Sequence, residues 1–117
     1  MIRFTFIKNK SGRTVGFRCT NHGRDIVCAA VSALTMNAIN SIEVFGKCEF
    51  SLDFNEEGGF LEFMLEEGEE ASDSAKRKDS LDPVALLLLD CLDLGICNIA
   101  AEYEEDIEVF VEEVYDA

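Results

Sequence analysis

The sequence predicts an α+β fold: a mixed or antiparallel sheet of about five strands with two helices on one face, in the order β-β-α-β-β-α-β. Five segments alternate apolar and polar residues, as strands do when one face is buried, and two longer segments repeat apolar residues at helical intervals. With 117 residues, of which 48% are hydrophobic, the chain can build one core but is too short for two ordinary domains. We therefore expect a single domain over residues 1–117.

The first half of the chain contains a predicted hairpin and a predicted helix, over residues 2–8, 13–20 and 25–45. The hairpin strands are joined by turn residues from Asn9 to Gly12. Asp25 is a favourable N-cap for the helix, because its carboxylate can accept hydrogen bonds from the free amides of the first turn. Cys28 then falls in that first turn.

The second half continues with predicted strands over residues 48–55, 60–66 and 106–115 and a helix from residue 83 to about 103. Asn55 to Gly59 supplies turn residues for a second hairpin. Pro83 is tolerated in the first turn of the helix, where its missing amide proton costs nothing. Residues 66–80 have almost no large apolar side chains, so we predict a mobile acidic and polar loop there.

Charge and cysteine content limit the possible partners. The net charge is −14, and residues 1–47 hold seven of the ten basic side chains but only two of the 24 acidic ones. Such an acidic chain repels phosphates and attracts basic partners, so we expect no direct nucleic-acid binding. No apolar run approaches a membrane span, and the N-terminus alternates like a strand, so we expect a cytoplasmic protein without membrane contact. Five cysteines without a Cys-x-x-Cys pair, and a single histidine, predict neither disulfides nor a metal or other cofactor.

His22 and Cys28 form the most informative pair in the sequence. His22, the only histidine, precedes the helix whose first turn contains Cys28. A helix N-terminus and a neighbouring imidazolium both favour thiolate over thiol, which makes a cysteine nucleophilic. His22 would act as the general base and acid in acyl transfer, and amides near the helix start would stabilise an oxyanion. The spacing alone is also compatible with a loop histidine and a buried cysteine.

The segment from Gly23 to Leu34, Gly-x-Asp-Ile-Val-Cys-Ala-Ala-Val-Ser-Ala-Leu, closely resembles the signature of the ribosomal-processing cysteine protease family. The preceding Gly16-Phe17-x-x-Thr20-x-His22 is similar to the strand that leads to the family's histidine. The resemblance implies peptidase chemistry with Cys28 as nucleophile and His22 as catalytic histidine. It also implies the family's substrate, the N-terminal extension of large-subunit ribosomal protein twenty-seven, cut after an aromatic residue, and a tendency to form homodimers.

Two further polar positions of the signature are Asp25 and Ser32. Asp25 could orient His22 or Arg24, or only cap the helix. Ser32 follows Cys28 by four residues on the same helix face, where its hydroxyl could contact substrate or bond back to a carbonyl. Both are expected to be supporting or substrate-binding residues.

The match to the family has two departures. Asn21 stands where the family usually has glycine, and the segment between His22 and Cys28 is shorter than in many relatives. An alignment without this gap would place Gly16 opposite the family histidine and leave His22 as a loop residue. The alternatives to a protease are therefore a non-catalytic, ribosome-associated adaptor of the same fold and a redox sensor that pairs Cys28 with Cys19.

Overall fold

The structure, a computed structural model, describes residues 1–66 and 81–114. Its elements are β1 (Ile2–Lys8), β2 (Thr14–Thr20), α1 (Asp25–Phe45), β3 (Phe50–Phe54), β4 (Phe60–Leu65), α2 (Pro83–Glu102) and β5 (Ile107–Glu113). The predicted order of elements and the α+β class are confirmed. Apart from Glu66, the predicted mobile loop over residues 66–80 lies outside the described residues.

The five strands form one mixed sheet in the order β3-β4-β2-β1-β5. The two predicted hairpins pair antiparallel, β4 also runs antiparallel to β2, and β5 is parallel to β1. Paired residues point to the same face of a sheet, so the register Phe6 to Phe17 to Phe63 builds an aromatic row across three strands. The rings of Phe17 and Phe63 stack with centroids 5.3 Å apart. This row forms the sheet side of the hydrophobic core.

Both helices cover that aromatic face of the sheet, as predicted. Val31, Ile39 and Ile42 of α1 and Leu89 and Ile96 of α2 are buried in the same cluster as the strand phenylalanines. Each helix is long and apolar enough for a membrane span by length and composition alone. Their buried sides pack on the sheet and on each other, which is the arrangement of core helices in a soluble domain.

Both helices begin where the sequence predicts, but α1 lacks the predicted cap. The Asp82 carboxylate accepts a hydrogen bond from the Val84 amide, with Pro83 as the first helical residue. In α1 the N-cap is Arg24, whose carbonyl accepts from the Cys28 amide, and Asp25 is already helical and makes no capping hydrogen bond. The predicted capping role of Asp25 is therefore wrong. The local pattern could not reveal that a residue from another element holds Arg24.

Candidate active site

A cavity of about 390 Å³ opens between the start of α1 and the β3–β4 hairpin, and we call it the site cavity. Its polar and sulfur-bearing lining residues are Cys19, Asn21, His22, Cys28, Ser32, Thr35, Met36 and Asn55, and Leu52, Phe54, Phe60 and Leu61 are among its apolar ones. Three of the four predicted site residues, His22, Cys28 and Ser32, therefore share one cavity. Asp25 does not line it.

Cys28 is half-buried, and its sulfur contacts the backbone of the preceding loop. The Gly23 amide donates to Cys28 Sγ at 3.3 Å, and Sγ lies 3.4 Å from the Gly23 carbonyl oxygen, to which the thiol donates. A backbone donor aimed at the sulfur stabilises negative charge there. The amides of Val27 and Cys28 both donate to the Arg24 carbonyl, so these two amides are not free to stabilise an oxyanion.

His22 lies exposed on the loop after β2, and its ring packs against the turn of the second hairpin. A Cβ placed on Gly59 would come within 3.2 Å of His22 Nε2, and one on Gly58 within 3.5 Å of His22 Cε1. Within the described residues no hydrogen bond joins His22 to Cys28. The imidazole is therefore in the same cavity as the sulfur but not yet bonded to it.

The backbone conformation of Asn21 explains why asparagine can stand where the family usually has glycine. Its φ of 68° lies in the left-handed region, which glycine adopts freely and asparagine tolerates better than most residues. The Asn21 amide donates to the Gly59 carbonyl at 3.0 Å, so this bend brings the loop onto the hairpin turn. Asparagine can therefore replace glycine here without changing the path of the chain that presents His22.

Ser32 and Asp25 differ in their surroundings. Ser32 is exposed toward the site cavity, one turn beyond Cys28. A hydroxyl that bonds back to a helix carbonyl is found on Thr35 instead: its Oγ1 donates to the Ser32 carbonyl at 3.1 Å. Asp25 is exposed, and in the part of the chain that the structure describes it makes no hydrogen bond with His22 or Arg24.

Arg24 is held by Asp106, which sits just before β5. The guanidinium donates to both carboxylate oxygens, with Nη2 2.6 Å from Asp106 Oδ2 and Nε 3.0 Å from Oδ1, and the Arg24 amide also donates to Oδ1 at 3.3 Å. These hydrogen bonds from Arg24 hold the pKa of the Asp106 carboxyl below its usual value, against the opposing effect of desolvation. This contact anchors the N-terminus of α1 to the sheet.

Cys19, the proposed redox partner, lines the same cavity as Cys28. Burial, with a smaller contribution from the charge of Cys28, raises the pKa of the Cys19 thiol to about 11. Cys19 is therefore a protonated thiol at neutral pH and a poor nucleophile. The two cysteines of this site differ in chemistry even though they share the cavity.

Gly16, the position that the ungapped alignment would match to the family histidine, lies inside β2 next to β4. A Cβ there would come within 2.4 Å of the Met64 sulfur and of the Phe63 carbonyl oxygen. Gly16 does not line the site cavity, whereas His22 does. The geometry favours the alignment that assigns the histidine to His22.

Sequence reasoning missed Gly58 and Gly59 as parts of the site. The sequence pattern marks them only as turn residues, yet both have positive φ and both lie against the His22 ring. Two adjacent glycines where one would close a turn were the available signal. Thr35 and Met36 were missed as well, because they lie on the cavity face of a helix that was interpreted mainly as core.

A cysteine in the first turn of a helix, with a histidine in the same open cavity, is an arrangement that thiol hydrolases on α+β domains can use. The chain belongs to the cysteine protease Prp family, whose model matches residues 1–108. It is therefore a cysteine protease, and the predicted family and enzyme class are confirmed.

Individual relatives agree with this assignment. The ribosomal processing cysteine protease Prp of Bacillus subtilis is 29% identical over 93% of this chain and 96% of its own length. A Streptococcus mutans protein of known structure is 32% identical, with a TM-score of 0.74 over 97% of this chain and 99% of its own. The ribosomal processing protease Prp of Staphylococcus aureus, solved with a covalently linked product peptide, has a TM-score of 0.77 at 21% identity, over 96% of this chain and 100% of its own.

We predict that Gly59→Ala displaces the His22 ring, whereas Gly12→Ala does not. Both glycines have positive φ, 87° and 79°, so each alanine costs about 1 kcal/mol of folding free energy. Only at Gly59 does the new methyl group meet His22, since nothing lies within 4 Å at Gly12. As the sole histidine, His22 gives unambiguous ring proton resonances. Unchanged His22 resonances in Gly59→Ala would contradict the contact.

We predict that Asp106→Asn lowers the midpoint of thermal unfolding at pH 7 and that the deficit shrinks in acid. The folded-state pKa of Asp106 lies below its unfolded value, so its contribution is complete above about pH 4 and is lost as pH falls through the folded-state pKa. Asp90→Asn is the control, because its ion pair with Arg13 is exposed and contributes little. A deficit that stays constant from pH 7 to pH 2 would argue against the ion pair.

Proposed function

We propose that this protein is a cytoplasmic endopeptidase that removes the N-terminal extension of large-subunit ribosomal protein twenty-seven, with Cys28 as nucleophile and His22 as general base and acid. The observation that carries the proposal is the convergence of both side chains on one open cavity in a chain of the Prp family. Five free cysteines fit a reducing compartment.

The first half-reaction forms an acyl-enzyme. His22 takes the thiol proton, and the Cys28 sulfur attacks the carbonyl carbon, forming a C–S bond and an oxyanion. The Gly23 amide donates to the sulfur in the free protein, and in this mechanism it shifts from the sulfur to that oxyanion. The C–N bond then breaks, and the imidazolium gives its proton to the leaving amine. Because catalytic hydrogen bonds often tighten only in the substrate complex, the step requires the His22 ring to turn toward Cys28 when the peptide binds.

The second half-reaction releases the acyl product. His22 accepts a proton from water as the water oxygen attacks the thioester carbon. The C–S bond then breaks to release the carboxylic acid, and the imidazolium returns its proton to the departing sulfur, which restores the thiol. We assign Ser32 a substrate contact, because its hydroxyl faces the cavity one turn beyond Cys28. Asp25 does not line the cavity. Its supporting role is therefore limited to the favourable interaction of its negative charge with the N-terminus of α1.

The substrate class is supported by relatives and by charge. A structure of the Staphylococcus aureus ribosomal processing protease with a substrate peptide has a TM-score of 0.75 with this chain, at 19% identity over 96% of this chain and 100% of its own. The net charge of −14 favours encounter with a basic ribosomal protein. These observations support a basic peptide substrate and a proteolytic function rather than that of a binding adaptor.

The decisive experiment is cleavage of a peptide that carries the host ribosomal protein's own N-terminal sequence, followed by mass spectrometry. We expect cleavage by the natural chain and a loss of at least about 1,000-fold in kcat/KM for Cys28→Ala and for His22→Ala, as for other members of nucleophile and base pairs. Cys97→Ala is the matched control, because this exposed thiol does not line the cavity. Binding without cleavage by the natural chain would indicate the adaptor instead.

Alkylation gives an independent readout of thiolate activation. With limiting iodoacetamide at pH 7, we expect Cys28 to be labelled before Cys19, which at a pKa of about 11 is ionised in only about one molecule in 10,000. His22→Ala should slow the labelling of Cys28 itself and leave the labelling of Cys19 unchanged. Equal labelling of all five cysteines would refute activation of Cys28.

We also propose a homodimer, formed through the outer face of α2. Val84, Leu87 and Leu94 are 42%, 61% and 66% exposed and lie at heptad-like spacing on one face of the helix. An apolar stripe of this kind is self-complementary around a two-fold axis. Light scattering should give twice the chain mass for the natural protein and the monomer mass for Leu87→Glu with Leu94→Glu. A monomeric natural chain would refute the dimer.

A further inference from the structure

The edge strand β3 borders the site cavity and is unpaired on its outer side within the described residues. In the sheet order it is the terminal strand, with β4 as its only partner among residues 1–66 and 81–114. Its residues Leu52 and Phe54 line the site cavity together with Cys28 and His22. They are 38% and 55% exposed and so can contact a bound chain. An exposed strand edge is a template for pairing with another chain.

The hydrogen-bond register shows which groups of β3 point outward. The Asn55 amide donates to the Phe60 carbonyl and the Glu66 amide donates to the Glu49 carbonyl, so the odd-numbered residues of β3 direct their backbone groups toward β4. Antiparallel ladders alternate with a period of two residues. The amides and carbonyls of Leu52 and Phe54 therefore point away from β4, while their side chains face the cavity.

The same hairpin is strongly acidic. Residues 48–66 contain six acidic side chains and no lysine, arginine or histidine. Glu62 is paired with Arg18 on the sheet, whereas Asp53, Glu56 and Glu57 are exposed at or next to the end of β3. A chain that pairs with this edge therefore meets negative charge at the turn end.

We infer that the outer edge of β3 is the substrate-docking edge: an extended, basic segment of the peptide adds to the sheet as a further strand, bonds to the backbone of Leu52 and Phe54, and is thereby laid across the cavity that contains Cys28. The inference rests on the proposed peptidase function and identifies how that site takes up its substrate. Strand addition uses backbone groups for affinity and alternate side chains for specificity. Leu52 and Phe54 are thus specificity-determining residues as well as cavity walls.

The test is a scan of the substrate peptide with single N-methyl groups, which remove one amide proton at a time. Because only alternate amides of an added strand face β3, we expect kcat/KM to fall about three- to tenfold or more at every second position and to change little between them. Peptide binding to Cys28→Ala, measured by fluorescence anisotropy, should show the same period of two. This scan needs no variant of the edge itself, so it does not depend on whether such a variant folds.

Two variants of the protein add a matched comparison. Leu52→Pro removes one outward amide, which an edge strand tolerates, and Leu52→Ala truncates the side chain but keeps that amide. We expect Leu52→Pro to lower kcat/KM below the value of Leu52→Ala at equal thermal stability. Glu56→Gln with Glu57→Gln should raise KM more than Glu43→Gln with Glu108→Gln, which removes the same charge from α1 and β5, away from the hairpin.

The outcomes separate this inference from the proposed function. Cleavage that is insensitive to the position of the N-methyl group would overturn docking on β3 and leave the peptidase intact. Period-two binding to Cys28→Ala without cleavage by the natural chain would overturn the peptidase and keep the edge. If Leu52→Pro halves the mass in light scattering while cleavage is unchanged, the edge binds a second copy of this chain, and docking of substrate is wrong.

Discussion

The attachment of α1 to the sheet through Arg24 and Asp106 is the constraint on which the site depends. Asp106 receives two kinds of donor from Arg24, its guanidinium and its amide, and so fixes the residue whose carbonyl begins the helix. Cys28 lies in the first turn of this helix. Gly23, just before the N-cap, supplies the amide that donates to the Cys28 sulfur. A shift of this helix start would move the nucleophile and its donor together. The ion pair is therefore a positioning device for the reactive sulfur.

A second constraint links the histidine to the hairpin on the other side of the cavity. Asn21 bends the chain with a positive φ and donates to Gly59, and the glycines of that turn leave room for the His22 ring. Cys28 is thus tied to the α2–β5 side of the molecule, and His22 to the β3–β4 side. The cavity between them is bounded by two independently anchored elements, which allows a peptide to enter without disturbing either anchor.

The acidic and basic residues are distributed unevenly over the molecule. The basic side chains are concentrated in the first 47 residues, while the hairpin beside the cavity carries only acidic charge. Arg18 takes up Glu62 on the sheet, so the remaining negative charge is concentrated at the exposed turn. Acidic charge beside one edge of the cavity favours a basic peptide over an acidic one. It also makes encounter with substrate dependent on salt concentration.

The sequence by itself determined the order of elements, both hairpins, both helices and the family, because periodicity, turn residues and the Gly23 to Leu34 motif are local properties. It also picked out His22, Cys28 and Ser32, which the structure brings into one cavity. Only the tertiary structure decided that Arg24 rather than Asp25 is the N-cap of α1, and that the His22 ring packs against Gly58 and Gly59. These depend on contacts between residues far apart in the chain. A local pattern contains no information about which distant partner, such as Asp106, arrives at a given residue.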